Sequence, residues 1–407
     1  MNVLVVSPGY PGEVGYFTRG LAATGARVFG IGDQPRSALA EEVQDCLTAH
    51  LHVPNLWDLD QTAQRVTHEA HSNGIRFHRI ECLWEPGMML AAKLREVLGV
   101  PGLNMVQTHP FRDKEAMKQT LDAAGIRTPR HRHARTLDEC RDAAREIGYP
   151  LIIKPISGAG SSDTHRVDSD DELSRVLPLL GHVEDVSVEE FIDGEEFTYD
   201  TICANGEILY ENIGYYRPRP LQQKQFEWIS PSCVCVRDIG VSHLADGRRM
   251  GHEVIAALAY DTGFTHMEWY RKADGEVVFG EIGARPAGAR LVEAMCFSSD
   301  ADIFRAWAEA ICHGRLLHPV ERHYNAGIVF KRARGEGRIR RIDGVDKIRE
   351  EFGHHLVKVD LLPIGAQRRD WQQAQISDGY LIVRHEDLDA TFSMADRIAD
   401  EVQLYAE

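Results

Sequence analysis

The stretch FGEIGARPAG, Phe279–Gly288, joins a short apolar run to a glycine-rich turn that carries charge. The run Val277-Val278-Phe279 predicts a buried strand, because β-branched and aromatic residues pack well on a pleated surface. Glu281 stands at the end of this strand, Arg285 follows in the turn, and Gly283 lies between them. A buried carboxylate is costly without a compensating cation. The stretch therefore raises two questions: what compensates Glu281, and why residue 283 is a glycine.

A second acidic residue, Glu268 in HMEWY, lies in the β-rich run before Ala273-Asp274-Gly275. That tripeptide predicts a hairpin turn, which places Glu268 and Glu281 on neighbouring strands. Two close carboxylates repel each other unless a proton or a cation lies between them. Mg²⁺ prefers carboxylate and phosphate oxygens, so the pair favours a magnesium site that also contacts nucleotide phosphates. The structural alternative is a pair of cross-strand glutamates matched to arginines.

Length and composition describe an ordinary globular protein. The 407 residues favour two or three domains, and 43% hydrophobic with 27% charged residues is a typical balance. The formal charge of −16 makes nucleic acid and anionic membranes poor partners, and no apolar stretch approaches the length of a membrane span. The eight cysteines include no C-x-x-C pair, and Cys233 and Cys235 alternate as in a strand. We therefore expect buried free thiols, no zinc site and a cytoplasmic protein.

The N-terminal residues predict an α/β unit rather than a signal peptide. A strand at Val3–Val6, a helix to Ala23 and a second strand at Arg27–Ile31 are the start of a doubly wound α/β domain. The glycines of the first loop do not fit G-x-G-x-x-G, so no nicotinamide site is predicted. Glu85 precedes a predicted helix at Met88–Leu98, and it either favours that helix N-terminus or faces a cleft at the strand ends.

Two further stretches are typical of a nucleotide site. In LIIKPISGAGSSDTHRV, Leu151–Val167, a strand leads to Lys154 and then to a loop of small residues. Such a loop exposes backbone N–H groups to a phosphate, and a nearby lysine adds positive charge. In VSVEEFIDGEEFTYD, Val186–Asp200, a hinge strand would offer backbone groups to an adenine and a later carboxylate to the ribose. A turn with an exposed lysine and a solvent-facing hairpin are the structural alternatives.

Taken in order with Asp113-Lys114, at the start of a predicted helix, these stretches resemble the ATP-grasp superfamily over nearly the whole chain. The resemblance implies a pre-ATP-grasp doubly wound α/β domain at 1–108, a two-lobed ATP-grasp domain at 109–315 and a small β-rich α+β domain at 316–407. The stretch Gly327–Ile348 resembles the opening of the C-terminal domain in the branch that contains biotin carboxylase and bacterial L-amino-acid ligases.

The resemblance also implies roles for individual residues. Glu268 and Glu281 would hold Mg²⁺, or Mn²⁺ in its place, and Arg285 would stabilise the transferring phosphoryl group. Glu196 would hold the ribose, and the small-residue loop would close over the phosphates. The ATP-binding residues that it implies are Lys114, Lys154, Gly158, Gly160, Ser161, Ser162, Glu189, Glu190, Phe191, Ile192 and Glu196.

One position departs from the family pattern. Many members carry E-x-N where this chain has E-I-G, and the asparagine is a further metal ligand. Gly283 has no side chain to donate, so either water or substrate would fill that coordination position. The departure leaves the number of bound ions open.

Motifs on the side of the site that would bind the acceptor substrate limit the class of reaction. Biotin carboxylases carry Q-V-E-H after this motif, whereas this chain has PAGARL there. Purine-pathway relatives carry a G-x-D-G-K-G loop, whereas the loop of this chain reads SGAGSSDTH, which is closer to amino-acid and peptide ligases. Arg290 resembles an arginine of those ligases that would bind a substrate carboxylate; a surface arginine is the alternative. The aromatic and cationic segment Asn212–Ser232 would either cover the acceptor site or form a mobile loop.

We therefore expect an ATP-dependent carboxylate–amine ligase that acts through an acyl phosphate and joins an amino acid to another amino acid or an amine. Its partners would be small-molecule substrates, and a homodimer is a further expectation. Two alternatives stay open. One is a carboxylase or formyl-phosphate-using enzyme of nucleotide biosynthesis, and the other is a nucleotide-binding regulatory protein without turnover.

Overall fold

The computed structural model describes residues 1–156, 163–374 and 376–407. The helices are α1 (Val14–Ala23), α2 (Glu41–Cys46), α3 (Leu59–Ser72), α4 (Met88–Leu98), α5 (Met105–Thr108), α6 (Lys114–Ala123), α7 (Leu137–Ile147), α8 (Asp170–Val176), α9 (Pro220–Gln223), α10 (Ser242–Ala257), α11 (Leu291–Ser299), α12 (Ile303–His313), α13 (Val345–Phe352) and α14 (Leu388–Glu401). The strands are β1 (Asn2–Val6), β2 (Arg27–Gly32), β3 (Leu47–His52), β4 (Arg79–Cys82), β5 (His131–Ala134), β6 (Leu151–Pro155), β7 (His165–Val167), β8 (Val186–Glu190), β9 (Glu195–Ala204), β10 (Glu207–Arg217), β11 (Ser232–Cys235), β12 (Gly263–Arg271), β13 (Val277–Gly283), β14 (Asn325–Phe330), β15 (Arg334–Gly335), β16 (Ile339–Asp343), β17 (Leu356–Leu361), β18 (Gly379–His385) and β19 (Gln403–Ala406).

The N-terminal strands form a four-stranded parallel sheet in the order β3-β2-β1-β4. Alternate residues of β1 enter different cores: Val3 and Val5 pack with α1, whereas Leu4 and Val6 pack with α3 and α4. A parallel strand that is covered on both faces needs a continuous apolar run, which residues 3–6 supply. The predicted doubly wound α/β fold of this part is confirmed.

The rest of the chain is built on two antiparallel sheets and one small mixed sheet. A four-stranded sheet in the order β5-β8-β6-β7 packs against α7 and α8. The largest sheet has eight strands in the order β13-β12-β9-β10-β11-β14-β18-β17, and a small sheet has the order β15-β19-β16. Strands of the predicted C-terminal domain therefore continue the large sheet. The domain limits near residues 108 and 315 stay a prediction.

Helix α10 lies unusually close to the large sheet, because two glycines face it. A Cβ atom at Gly247 would lie 2.1 Å from Cη2 of Trp269, and one at Gly251 would lie 2.4 Å from Cδ1 of Tyr199. Real Cβ atoms do not approach other heavy atoms this closely, so the rings of β9 and β12 occupy the volume of the missing side chains. This packing fixes the strands that carry the cleft residues described below.

Some local predictions differ from the structure. The sequence predicts a final helix over Asp389–Tyr405, and this prediction is wrong at its end, because α14 stops at Glu401 and β19 then pairs with β16 and β15. The sequence also predicts a linker over Gly99–Pro110, but this segment contains the short helix α5. The segment Asn212–Ser232 is not one loop, since it begins inside β10. These differences arise because the strands that pair are far apart in the sequence and because the cap of a short helix is a weak local signal.

All eight cysteines are free, and Cys233 and Cys235 are buried in β11, as their alternation predicted. Among the residues that the structure describes, no helix has the length and apolar character needed to cross a membrane.

Candidate active site

An open cleft lies between the sheet that contains β6 and β8 and the end of the large sheet formed by β9, β12 and β13. Glu85 and Gly283 line this cleft. The sequence-predicted residues that also line it are Lys114, Lys154, Glu189, Glu190, Phe191, Ile192, Glu196, Glu268, Glu281 and Arg285. The predicted loop residues Gly158, Gly160, Ser161 and Ser162 lie outside the described residues.

The two predicted metal acids face each other across the hairpin. Glu268 on β12 pairs directly with Glu281 on β13, whereas the next pair is Trp269 with Phe279. Gly280 is therefore an extra residue, a β-bulge, and it turns Glu281 and Phe279 to opposite faces of the sheet although they are two residues apart. Phe279 and Trp269 enter the core, and both carboxylates enter the cleft. The bulge explains how a buried strand ends on a cleft-facing acid.

Electrostatics distinguishes the two carboxylates. Burial raises the pKa of Glu268, and the charge of Glu281 raises it further. Burial alone would also raise the pKa of Glu281, but Lys114 and Lys154 outweigh it and lower that pKa. The ammonium of Lys114 lies 3.1 Å from Glu281 Oε1. The lysines thus stabilise the charge of Glu281, whereas Glu268 Oε1 lies 3.8 Å from the imidazole Nε2 of His266.

The donor set of the cleft fits a divalent cation that prefers oxygen ligands, because two carboxylates stand in register on adjacent strands. Within the described residues, no group of three or more histidine, cysteine, aspartate or glutamate side chains is placed to hold an ion alone. A metal at this place would therefore share its coordination between the protein and a ligand. Phosphate oxygens are the natural complement.

Glu189 is not only part of a backbone hinge. Its carboxylate forms ion pairs with Lys118 and, at 3.0 Å, with Lys154, and the side chains of Glu189 and Lys118 are 4% and 1% exposed. Burial would raise the pKa of Glu189, but the two ammonium groups outweigh it and hold that pKa far below its usual range. Lys118 was missed in the sequence, although it lies one helical turn after Lys114, whose helix is capped by Asp113.

The neighbouring hinge residues, Glu190 and Phe191, each contact arginine side chains. The carboxylate of Glu190 accepts hydrogen bonds from Arg127, at 3.1 Å, and from the backbone N–H of Arg130, at 3.1 Å. The backbone N–H of Glu190 donates to the carbonyl of Arg130. That N–H is therefore engaged within the protein. The aromatic ring of Phe191 is covered by the guanidinium of Arg166, 4.2 Å from the ring centroid.

Glu196 has a cation partner that the sequence did not reveal. Arg219 Nε donates to Glu196 Oε2 at 3.0 Å, and both side chains line the cleft. Burial, together with the nearby charge of Glu268, raises the pKa of Glu196 to about 7 despite this contact. Arg219 comes from the segment Asn212–Ser232, so part of that segment does contribute to the site.

Arg285 is held by Glu85, which lies in the turn that follows β4 of the N-terminal sheet. Its Nε donates to Glu85 Oε2 at 2.9 Å, and Arg112 forms an ion pair with the other oxygen of the same carboxylate. The Glu85 side chain is 8% exposed. Two interpretations of Glu85 were given above, and the structure favours the one in which Glu85 faces a cleft at the end of a strand.

Comparison with known proteins identifies one part of the chain that contributes to this cleft. Residues 111–212 match the family model of the ATP-grasp domain. The chain contains an ATP-grasp domain.

Three known proteins show how far this similarity extends. An L-arginine-specific L-amino acid ligase from Bacillus subtilis is 28% identical over 227 residues, 53% of this chain and 54% of that protein. A formate-dependent phosphoribosylglycinamide formyltransferase from Bacteroides thetaiotaomicron is 28% identical over 176 residues, 41% of this chain and 43% of that protein. The crystal structure of an L-amino acid ligase from Bacillus licheniformis has a TM-score of 0.79 at 19% identity, over 100% of this chain and 98% of that chain. The chain thus spans about half the length of the curated relatives it matches, and it shares the whole fold of the solved structure.

Arg290 lies beyond the residues that line the cleft of the ATP-grasp domain. Its backbone N–H donates to Glu13 Oε1 at 2.8 Å, and its guanidinium lies 5.0 Å from the ring centroid of Tyr16. Ala289 and Arg290 both have left-handed backbones, with φ of 52° and 60°. Consecutive non-glycine residues in this region are strained, and such strain is concentrated at functional sites. The buried Nη1 of Arg290 has no hydrogen-bond partner among the described residues.

Proposed function

We propose that this protein is an ATP-dependent carboxylate–amine ligase that joins an amino acid to another amino acid or an amine. The observation that carries the proposal is the register pair Glu268–Glu281, which lines the same cleft as Lys114 and Lys154. Both lysines lie within residues 111–212, which match the ATP-grasp family model. A pair of cleft-facing carboxylates beside phosphate-binding cations is suited to nucleotide chemistry. The L-amino acid ligases among its relatives support the choice of substrate class.

The residues of the cleft divide the binding of Mg·ATP between them. Glu268 and Glu281 would hold the divalent ion, which would neutralise phosphate charge and align the terminal phosphate. Lys114 and Lys154 lie close enough to Glu281 and Glu189 to be held in place for the phosphates. The hinge at Phe191 and Ile192 would contact the adenine, and Glu196 the ribose. The small-residue loop at 157–162 would cover the phosphates.

The reaction would proceed in two displacements. An oxygen of the substrate carboxylate attacks the terminal phosphorus of ATP, the bond to the ADP oxygen breaks, and ADP leaves. The amine nitrogen then attacks the acyl carbon, phosphate leaves with the former carboxylate oxygen, and the nitrogen loses a proton as the amide forms. Arg285 would stabilise the negative charge on the phosphoryl oxygens in the first step. Glu85 holds the guanidinium of Arg285 for this role.

Arg290 is proposed to bind the carboxylate of an amino-acid substrate. The support is a buried Nη1 without a partner in the described part of the chain, together with a strained backbone that fixes its position. A carboxylate would satisfy that nitrogen through a charge-assisted hydrogen bond. We also propose a cytoplasmic location, which suits a chain whose eight cysteines are all free. The homodimer stays a prediction.

The test is phosphate release from Mg·ATP, with pools of L-amino acids and amines and with mass analysis of the products. We expect phosphate and an amide product in the same samples. Glu281→Gln should reduce release by about 100-fold, because a charge at the metal site is lost. Glu276→Gln, a control on the same hairpin whose carboxylate contacts Lys272 at 2.6 Å, should retain activity. Release that responds to bicarbonate or formate instead would favour the nucleotide-biosynthesis alternative, and ATP binding without release would favour the regulatory protein.

A further inference from the structure

A row of polar residues crosses four strands at the floor of the cleft. Asn212 on β10 pairs with Asp200 on β9, Asp200 pairs with His266 on β12, and His266 pairs with Gly283 on β13. Residues that pair directly across antiparallel strands have side chains on the same face. The row therefore leads from a buried amide to the one position that lacks a side chain. It runs beside the pair Glu268–Glu281.

The buried end of this row fixes the imidazole of His266. Asp200 is fully buried. Its Oδ2 accepts hydrogen bonds from Thr198 Oγ1 at 2.8 Å and from Asn212 Nδ2 at 3.0 Å. Its Oδ1 lies 2.6 Å from His266 Nδ1. A carboxylate in this position accepts the Nδ1–H of the ring. The lone pair of the imidazole is then on Nε2. In many metal sites, a carboxylate accepts a hydrogen bond in this way from the histidine ring that binds the metal.

The other nitrogen of the ring faces the acids of the cleft. His266 Nε2 lies 3.8 Å from Glu268 Oε1, and His266 lines the cleft. Metal–nitrogen and metal–oxygen bonds are each about 2.1 Å long, so one ion can contact two atoms that are up to about 4.2 Å apart. The 3.8 Å separation lies within this limit.

Gly283 pairs with His266 across the strands and has no side chain. A Cβ atom at residue 283 would lie 3.2 Å from Arg285 Cγ and 3.6 Å from its Nε. A side chain here would therefore contact Arg285 on the face of the sheet that carries the imidazole. The chain thus lacks an oxygen donor at 283 and has a nitrogen donor on the paired residue of the next strand.

We propose that His266 Nε2 is a ligand of the divalent ion held by Glu268, with Asp200 as the residue that positions the ring. The inference rests on the nucleotide and metal site of the proposed function but not on the identity of the substrates. Imidazole ligands favour first-row transition ions over Mg²⁺, which retains oxygen ligands. The site should therefore prefer Mn²⁺ to Mg²⁺ more strongly than a site of oxygen donors alone.

The direct test is pulsed electron paramagnetic resonance of Mn²⁺ bound to the full chain with a non-hydrolysable ATP analogue. A ¹⁴N coupling should be present with natural-abundance protein, and it should change to a ¹⁵N coupling when the protein alone is ¹⁵N-labelled, which separates protein nitrogen from adenine nitrogen. His266→Gln should remove the coupling and reduce the ratio of Mn²⁺ to Mg²⁺ affinity by about tenfold or more. His243→Gln is the matched control, since His243 contacts Glu195 at 2.7 Å and does not line the cleft.

The wild-type spectrum decides the inference even if a variant does not fold. Bound Mn²⁺ without a protein nitrogen coupling would overturn it, as would a coupling that persists in a folded His266→Gln variant. Asp200→Asn should weaken Mn²⁺ binding about tenfold and keep the coupling, because the ring would lose its orientation but not its nitrogen. These measurements need no turnover. A protein with the nitrogen coupling but without amide formation would refute the proposed function alone.

Discussion

The substitution Glu189→Gln tests how the nucleotide lysines are held. Glu189 is the shared anion of Lys118 and Lys154, and all three side chains are buried or nearly so. Glutamine has almost the same volume but no charge, so the variant would keep two ammonium groups in a site with little solvent. Removing one partner of a buried ion pair costs about 3–5 kcal/mol, because the remaining charge is left uncompensated. We expect the free energy of unfolding to fall by this amount.

The adjacent substitution Glu190→Gln is the control. It makes the same chemical change one residue along β8, but its partners Arg127 and Arg130 have side chains that are 33% and 61% exposed. Solvent screens such pairs, and the expected loss is about 1 kcal/mol or less. Urea unfolding of both variants and the wild type, followed by tryptophan fluorescence, gives the comparison. A loss below about 1 kcal/mol for Glu189→Gln, or equal losses for the two variants, would refute the reasoning.

The pH dependence gives the same prediction an independent check. The pKa of Glu189 is lowered in the folded protein, since the two lysines outweigh burial. A lowered pKa contributes stability above the unfolded pKa of about 4.3, and this contribution is lost as the pH falls below it. The stability difference between wild type and Glu189→Gln should therefore be constant from about pH 5 to 8 and shrink below about pH 4. Burial lowers the pKa of Lys118, so the variant should regain stability as the pH rises into the alkaline range, where this ammonium loses its proton more readily in the folded protein than in the unfolded chain.

Three other substitutions test packing, positioning and the metal site. Gly247→Ala should lower the stability by about 1–3 kcal/mol in thermal unfolding, because the new methyl group would lie 2.1 Å from Trp269; an unchanged melting temperature would contradict the close packing of α10. Glu85→Gln should reduce phosphate release about tenfold with little change in the KM for ATP, because Arg285 loses its charged anchor; an equal change in both constants would assign Glu85 to substrate binding. Gly283→Asn should shift metal preference from Mn²⁺ toward Mg²⁺ about tenfold in calorimetric titrations, since an amide oxygen would compete with the imidazole; an unchanged preference would mean that the ion does not reach residue 283.

The features predictable from the sequence are those that neighbouring residues determine. The turn Ala273-Asp274-Gly275 and the strand-like runs on both sides were enough to place Glu268 and Glu281 on adjacent strands, which the register confirms. The alternation of Cys233 and Cys235 likewise indicated buried thiols in a strand. Such patterns are local, so they are present in a single sequence.

The features that were missed depend on contacts between distant parts of the chain. Arg285 and its partner Glu85 are 200 residues apart in sequence, so no spacing rule connects them. Asp200 and His266 meet only because β9 and β12 are neighbours in the sheet. Lys118 carried a weak local signal, its position on the same helical face as Lys114, but a lysine on a helix is exposed in most proteins. Burial of both ends of an ion pair is a tertiary property.

The two questions raised by the stretch at 279–288 have different answers in the structure. Glu281 reaches the cleft because Gly280 adds one residue to β13, and the charge of Glu281 is compensated by Lys114 from the start of α6. Gly283 is not needed for its backbone, since its φ lies outside the left-handed region, and its missing side chain leaves space beside Arg285. The same glycine pairs with His266, whose ring is oriented from behind by Asp200. In the metal site proposed above, the position without a side chain and the oriented imidazole lie on paired strands, so the chain offers a nitrogen donor at 266 and no side-chain donor at 283.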